Sequence, residues 1–594
     1  MSLMSSLYTG VSGLTNNQRG LTVSAHNLAN VETDGYVRQQ IEYTDSFYTT
    51  IGRNHISYQQ VGYGSDVSTV KQVRDIFLDR TYRTEKGRES FYSSQYEATR
   101  EVEDIFGELE GVAFQNNLKD LWVSLQELCK EPESIVKRST LIETAVSFVN
   151  RAERIYKQIT DYQTSLNTQI KTYVRQINEK AQQIYELNHK IQKIEAAGVE
   201  NANDLRDQRN VLLDELSSIC KIDYKEDASG IVTVFVEDYA LVTEDLIYKI
   251  ETKPISKETE MLKPYWPDYN GVDVFDLSRI PTSQNNSDIG ALKGLLLARG
   301  SKVGQYTAIP VEPDKKDYTD ELSGWFDEKE YNDALLKYYD DVEKYQIEVE
   351  SSVIVSIQTQ FDNLIHGICT AINDTISPNK EVTLVTGEKI LILDTDKAPV
   401  GMDIHETMGE ALFSRKSVNR YEEQFITIVN DDNTTETISA MVYTGEDPEN
   451  NYSLFTIGEI EVNKKILADP SMLPLSDNSG SGDFSVRICE EMLEKWQAAF
   501  DTVSPTDYSD QNFNSYYTDM IGLLGTNGEK FKNISQSQDS LCNSIENQRQ
   551  AVHAVSSDEE LTNIIRFQQG YNANSRFITT VSQMLEHLLN TLGR

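Results

Sequence analysis

The feature that most constrains this chain is a matched pair of apolar seams, one near each end. Met4, Leu7, Val11, Leu14, Leu21, Ala25 and Leu28 recur at alternating three- and four-residue steps, with Gln18 the one polar member of the series. Leu561, Ile564, Gln568, Tyr571, Ser575, Ile578, Ser582, Leu585, Leu589 and Leu592 keep the same rhythm. That spacing places the apolar side chains on one stripe of an α-helix, as in a coiled coil. Gly10, Gly13, Gly20 and Gly570 interrupt both segments, each weakening a helix by about 1 kcal/mol relative to Ala. Such a helix is marginal alone and needs a partner surface. The seams therefore predict sticky amphipathic helices near both ends of the sequence, surfaces that serve assembly. On this reading Ile578→Asp or Leu585→Asp leaves a folded monomer that cannot assemble.

Two more seams lie between them. Ile170, Tyr173, Ile177, Lys180, Ile184, Leu187, Ile191 and Ile194 run up to Ala196-Ala197-Gly198, where Gly198 suits a left-handed helix end. Phe531, Ile534, Gln538, Leu541, Ile545, Gln548, Val552 and Val555 form the other. Its heptad fails at Glu559 and Thr562. Ser557 followed by Glu560 reads as a capping box, so one helix ends near Val555 and another starts at Ser557.

The middle of the chain alternates with a different period. "GIVTVFVED" and "DLIYKIETK" read as strands, 286–302 and 350–374 as helices, and "EVTLVTG", "KILILDT", "QFITIVN" and "ISAMVYTG" as strands of a β insertion. "LSDNSGSGD", 475–483, reads as a linker. The expectation is an α+β, discontinuous multidomain chain. Residues 1–60 with 556–594 form a terminal helical core. Residues 61–230, 285–376 and 484–555 form a long-helix bundle with an acidic, tyrosine-rich insertion at 304–349. Residues 377–483 form an inserted β-rich outer domain.

Charge removes several functional classes. Acidic residues number 94 against 55 basic, a formal charge of −39, which repels nucleic acid and anionic membrane. No apolar run reaches membrane-spanning length, so a soluble protein without membrane insertion is expected. "MSLMSSLYTGVSGL" has neither a basic n-region nor an unbroken apolar stretch, which predicts no cleaved signal peptide. No catalytic, metal or cofactor motif stands out. The histidines are scattered, His366 and Cys369 make only two ligands, and "GYGSD" lacks the third glycine of a dinucleotide loop. The acidic run 311–350 matches no EF-hand spacing and reads as a solvated face. Cys129, Cys220, Cys369, Cys489 and Cys542 stand singly with no CxxC, which predicts buried free thiols.

After the first seam, "ANVETDGY" ends the helix and "YVRQQIEY" alternates as a strand. Ala29, Asn30, Thr33, Gly35 and Tyr36 at this spacing, behind an N-terminal heptad helix, resemble the signature of the bacterial flagellar rod, hook and hook-associated family. Gly62, Gly64, Val67, Arg74, Asp75, Phe77, Leu78 and Arg83 resemble its second block. Helix from about 88 to 220 follows, and "NDLRDQRNVLLDELSSI", "SDIGALKGLLLARG", "ENQRQAVHAVSSDEEL" and "RFQQGYNANSRFITTVSQMLEHLLNTLGR" are similar to segments of the members that join hook to filament. The resemblance covers roughly 1–300, 350–376 and 484–594. It is weak over 380–480 and fails over 304–349. It implies a non-enzymatic structural protein of motility, its N- and C-terminal helices paired in coiled-coil fashion, self-assembled through them at the hook–filament junction. The implied neighbours are further copies, the hook protein and hook-associated protein 3. It also implies type III export without a cleaved signal to an extracellular site, with an export chaperone on the C-terminal helix. A hook or rod axial protein, or a cytosolic coiled-coil scaffold, are the alternatives.

Overall fold

The computed structural model describes residues 3–53, 58–107, 114–198, 200–257, 259–319, 326–429, 434–476, 486–507 and 509–592. Helix α1 (Leu3–Ala29) leads to strands β1 (Gln39–Asp45), β2 (Tyr48–Arg53), β3 (Tyr58–Gly62) and β4 (Ser65–Gln72). β1 pairs antiparallel with β4, and β2 with β3. Four helices follow: α2 (Ile76–Phe106), α3 (Phe114–Lys130), α4 (Ile135–Glu195) and α5 (Asn203–Ile219). α4 is 61 residues long, about 90 Å at 1.5 Å per residue; α3 and α5 pack along it, and α2 packs chiefly with α11 and α6.

Strands β5 (Ile222–Glu226), β6 (Val232–Val236) and β7 (Tyr239–Val242) form one antiparallel sheet. β8 (Glu251–Pro254), β9 (Leu262–Trp266) and β10 (Val272–Asp273) form a second. Helices α6 (Ala291–Arg299), α7 (Glu328–Tyr345) and α8 (Val353–Ile376) come next. The β insertion holds β11 (Asn379–Thr383), β12 (Lys389–Leu393), β13 (Phe413–Arg415), β14 (Tyr421–Val429), β15 (Thr435–Tyr443) and β16 (Ile460–Val462). Its four-stranded sheet has the order β11-β12-β15-β14, with β13 paired to β16. Short α9 (Lys464–Ala468), then α10 (Val486–Gln497), α11 (Phe513–His553) and α12 (Ser557–Leu592) complete the chain. Most of the expected linker, 477–483, lies outside the described residues.

The core runs along α4, where Leu141, Phe148, Ile155, Ile159, Leu166, Ile170, Ile177 and Ile184 join it and Ile191 is also buried. Phe361 of α8 takes Phe106 and Phe114 edge-to-face at 5.4 and 5.0 Å, a geometry that the ring quadrupoles favour. Gly198 takes the left-handed conformation, φ 64°, just past the end of α4. On α4 the buried face includes Val174 and Ala181 where the apolar seam named Tyr173 and Lys180, and Ile194 is exposed. On α11 the offset is larger. The buried residues toward its C-terminal end are Cys542, Ile545, Arg549 and His553, and Leu541 is exposed. The joint to α12 also differs by one or two residues. α11 ends at His553, and Ser556 caps α12 by accepting from the Glu559 N–H at 3.4 Å. Ser557 is already helical, and Glu560 is buried and bonded elsewhere.

Candidate functional site: the terminal helix pair and its joint

α1 and α12 pair antiparallel, as the order of their contacts requires. Gly10 lies against Phe577 and Ile578, Gly13 against Asn574, Asn17 against Gly570, and Gly20 against Phe567. Asn27 closes the series by donating to Glu560 Oε1 at 3.1 Å. A Cβ on Gly10, Gly13 or Gly20 would sit 2.9, 2.8 or 2.7 Å from the side chain opposite. The glycines that weaken each helix are thus what let the two approach.

This face is not the apolar seam. The buried residues of α1 are Ser5, Gly10, Asn16, Gly20, Ser24 and Asn27. Leu7, Leu14, Leu21 and Leu28 are half-buried at the border, and Met4, Val11 and Ala25 are exposed. The stripe 10, 13, 17, 20, 27 lies one residue from the stripe 11, 14, 18, 21, 28, a rotation of about 100°. A third face of α1 meets the β1–β4 hairpin, where Asn16 donates to Ser65 O at 2.8 Å and Gly64 packs on Ser12. On α12, Ile564, Ile578 and Leu585 are half-buried, whereas Leu561, Tyr571 and Leu589 are exposed together with Ile565, Met584 and Leu588. Val581 is its buried apolar residue. The side chain of Leu592 lies outside the described residues. Ile578 faces Gly10, so Ile578→Asp attacks the pairing itself, contrary to the expectation from the seam.

The segment after α1 turns the helix pair into the bundle. Ala29 is the last helical residue, and the Asn30 amide donates to His26 O at 3.0 Å. Thr33 Oγ1 donates to Asn30 Oδ1 at 3.2 Å. Gly35 has φ 75°, and a Cβ there would collide with Val211 of α5, so both conformation and space require glycine. Tyr36 donates its hydroxyl to Asn27 Oδ1 at 2.8 Å. Asn27 is the hub: it also accepts from the Gln39 N–H at 3.0 Å and donates to Gln39 O at 2.9 Å. One buried amide therefore ties α1, the signature turn, β1 and α12 together.

Behind the turn lies a row of alternating charges. Arg74 bonds Asp79, and its Nη1 is 3.7 Å from Asp207. Arg549 donates to Asp79 at 2.9 Å and Asp214 at 2.8 Å, with its guanidinium 4.4 Å over the Tyr82 ring. Arg83 donates to Asp214 at 2.6 Å. Asp75 caps α2 by accepting from the Phe77 and Leu78 N–H groups, and its own N–H donates to His553 Nε2 at 3.1 Å. Burial raises Asp79, but Arg74, Arg549 and Arg83 outweigh it and hold the carboxyl below its usual range. Asp207 differs. Burial pushes it up to about 7, only partly opposed by the Val37 N–H and Arg74.

The residues that the sequence reading missed here are Asn27, Asp207, Asp214, Arg549 and His553. Their signal was present: Asp207 and Asp214 lie in "NDLRDQRNVLLDELSSI", Arg549 and His553 in "ENQRQAVHAVSSDEEL", and these segments meet at one joint. The raised Asp207 gives a pH prediction. Its folded value exceeds its unfolded one, so its contribution is full below about pH 4 and is lost as pH rises through about 7. Wild type should gain stability relative to Asp207→Asn as pH falls from 8 to 5, by up to about 1.4 kcal/mol per unit. Urea titrations across that range check it, and parallel profiles for the two proteins would refute it.

The same elements are where known families match. The model described as flagella basal body rod protein matches residues 7–36, and that for the flagellar basal body rod FlgEFG protein C-terminal region matches 553–591. The flagellar hook-associated protein FlgK helical domain matches 99–310. Flagellar hook-associated protein 1 of Bacillus subtilis (strain 168) is 24% identical over 591 residues, covering 99% of this chain and 98% of its own. Over its whole length the chain is thus similar to flagellar hook-associated protein 1. Flagellar hook-associated protein 1 of Escherichia coli (strain K12) is 23% identical over 601 residues, covering 99% of this chain and all of its own. The flagellar hook junction protein FlgK from Burkholderia pseudomallei aligns with a TM-score of 0.44 and 13% identity over 80% of this chain and all of that one. The matches to rod, hook and hook-associated proteins along the chain support a structural protein of the bacterial flagellum. Among the described residues no three His, Cys, Asp or Glu side chains are placed to hold a metal ion, and no helix is long and apolar enough to cross a membrane.

Proposed function

We propose that this protein forms the junction between hook and filament by stacking its terminal helix pair against further copies and axial neighbours. The observation that carries this is the separation of faces on α1 and α12. Glycine, asparagine and phenylalanine residues hold the pair together within one chain, which leaves Val11, Leu561, Ile565, Leu588 and Leu589 exposed on the two helices. Large apolar side chains left exposed on paired helices mark an interaction surface. Its axial neighbours are the hook protein below and hook-associated protein 3 above. Export is through the type III apparatus to the cell exterior without a cleaved signal, and an export chaperone covers α12 beforehand. The relatives are structural proteins of the flagellum, in keeping with a non-enzymatic role.

Electron microscopy of cells lacking the gene, with flagellin assayed in the medium, tests the placement. Bare hooks with flagellin lost to the medium are expected. Cells without hooks would move the protein into the rod or hook, and normal filaments would refute the proposal.

A further inference from the structure

The five cysteines stand far apart in sequence, yet the fold brings two of them together. α3 and α10 pack against each other, with Trp122 of α3 stacked on Trp496 of α10 at 5.5 Å and 25°. Trp122 lies seven residues before Cys129, and Trp496 seven residues after Cys489. In an antiparallel helix pair, one heptad in opposite directions from a contact leads to the next contact on the same face. The stacked tryptophans therefore set a register that puts Cys129 opposite Cys489, where each thiol shifts the titration of the other. Cys489 belongs to the buried core, while Cys129 packs on its edge and is partly exposed.

We propose that Cys129 and Cys489 form a reversible disulfide that staples α3 to α10. The two thiols are chemically unequal. The hydrogen bond from Cys129, and then the charge of buried Arg138, hold Cys489 below the ordinary thiol range against its burial. Cys129 is pushed up by the same hydrogen bond and by burial, so the shared proton resides there. Arg138 is fixed in place by donating to Pro132 O and Leu473 O at 2.8 and 2.7 Å.

The oxidant is a small-molecule disulfide, which can reach the partly exposed Cys129 but not the enclosed Cys489. The Cys129 thiol loses its proton, attacks one sulfur of the reagent and expels a small thiolate. The Cys489 thiolate then attacks the Cys129 sulfur of that mixed disulfide and expels the second small thiolate. Two protein thiols give up two protons and two electrons, and one small disulfide becomes two small thiols. The bond ties the helix through which the chain re-enters the bundle, after the β insertion, to a helix laid down 360 positions earlier (489 − 129). Closing so long a loop constrains the unfolded chain more than the folded one.

The test uses the full-length reduced protein and oxidised glutathione as probe. Free thiols are counted after denaturation, and linked peptides are mapped by mass spectrometry. Two of the five thiols should disappear, with one Cys129–Cys489 link that dithiothreitol reverses and an upward shift in thermal midpoint on oxidation. Cys489→Ser should stop at glutathione on Cys129. Cys129→Ser, at the less buried partner, should show neither link nor adduct while keeping wild-type helical circular dichroism, which guards against a folding artefact in the first variant. Five thiols retained by folded wild type, or a glutathione adduct on Cys129 that never advances to the link, would overturn the proposal.

Discussion

Arg549→Met is expected to lower the stability of the joint by about 2–3 kcal/mol. Breaking a buried ion pair by deleting one partner leaves the other charge less compensated, and that costs more than the pair was worth. Arg549 serves two carboxylates at once, Asp79 on α2 and Asp214 on α5, and both would lose a charged hydrogen bond. Arg74 and Arg83 remain on those carboxylates, which sets the loss below that of an isolated buried charge. Met also keeps the volume over the Tyr82 ring, so the change reads out charge rather than a cavity. Chemical denaturation of the two proteins at pH 7 checks it, and a difference under about 0.5 kcal/mol would show the row of charges to be dispensable. The effect should shrink in acid as Asp79 is protonated. Its folded value is depressed, so its contribution is present above about pH 4 and lost as pH falls through that lower value.

The second large effect concerns the two faces of the terminal helices, which should respond differently to substitution. Gly20→Leu drives a side chain into the Phe567 ring and should unpair α1 from α12. Overpacking of this kind costs about 1–3 kcal/mol, against a gain of about 1 kcal/mol in helix propensity. The pair therefore loosens while α1 itself becomes a better helix. Leu561→Asp does the reverse: it leaves the glycine face intact and places a charge among the exposed apolar residues, so the monomer stays paired. Amide exchange over 3–29 and 557–592 distinguishes them, with protection lost in the first variant and retained in the second. Equal loss in both would mean that the pair is held by its apolar seam after all.

The long helices were legible because their heptads are long and their capping residues, such as Gly198, carry a mechanism. The strands of the β insertion were legible because alternation persists over seven or eight residues between turn residues, as in "QFITIVN". The faces were not. A reading that sorts residues into apolar and polar assigns Gly10, Gly13 and Gly20 no packing role, although their lack of a side chain is what builds the contact. It also places Arg549 and His553 outside, although each is buried with partners that lie hundreds of residues away. Asn27 escaped for the same reason, since a single amide that bonds four groups resembles any other asparagine until they are assembled. Cys129 and Cys489 could be paired only once the register of α3 and α10 was known. The signature turn was the exception: Asn30, Thr33 and Tyr36 bond within ten residues and Gly35 supplies the positive φ of the turn, so sequence spacing and structural role coincide.

The measurement that bears most directly on the proposed assembly is the fraction of hooks bearing filaments in cells whose only copy carries Val11→Asp together with Leu561→Asp. Both positions are exposed on the paired helices and outside the glycine contact. The separation of faces predicts bare hooks, flagellin in the medium and a purified variant that still folds and pairs its terminal helices. Filaments at wild-type frequency would contradict it, because the exposed apolar residues would then have no part in building the junction.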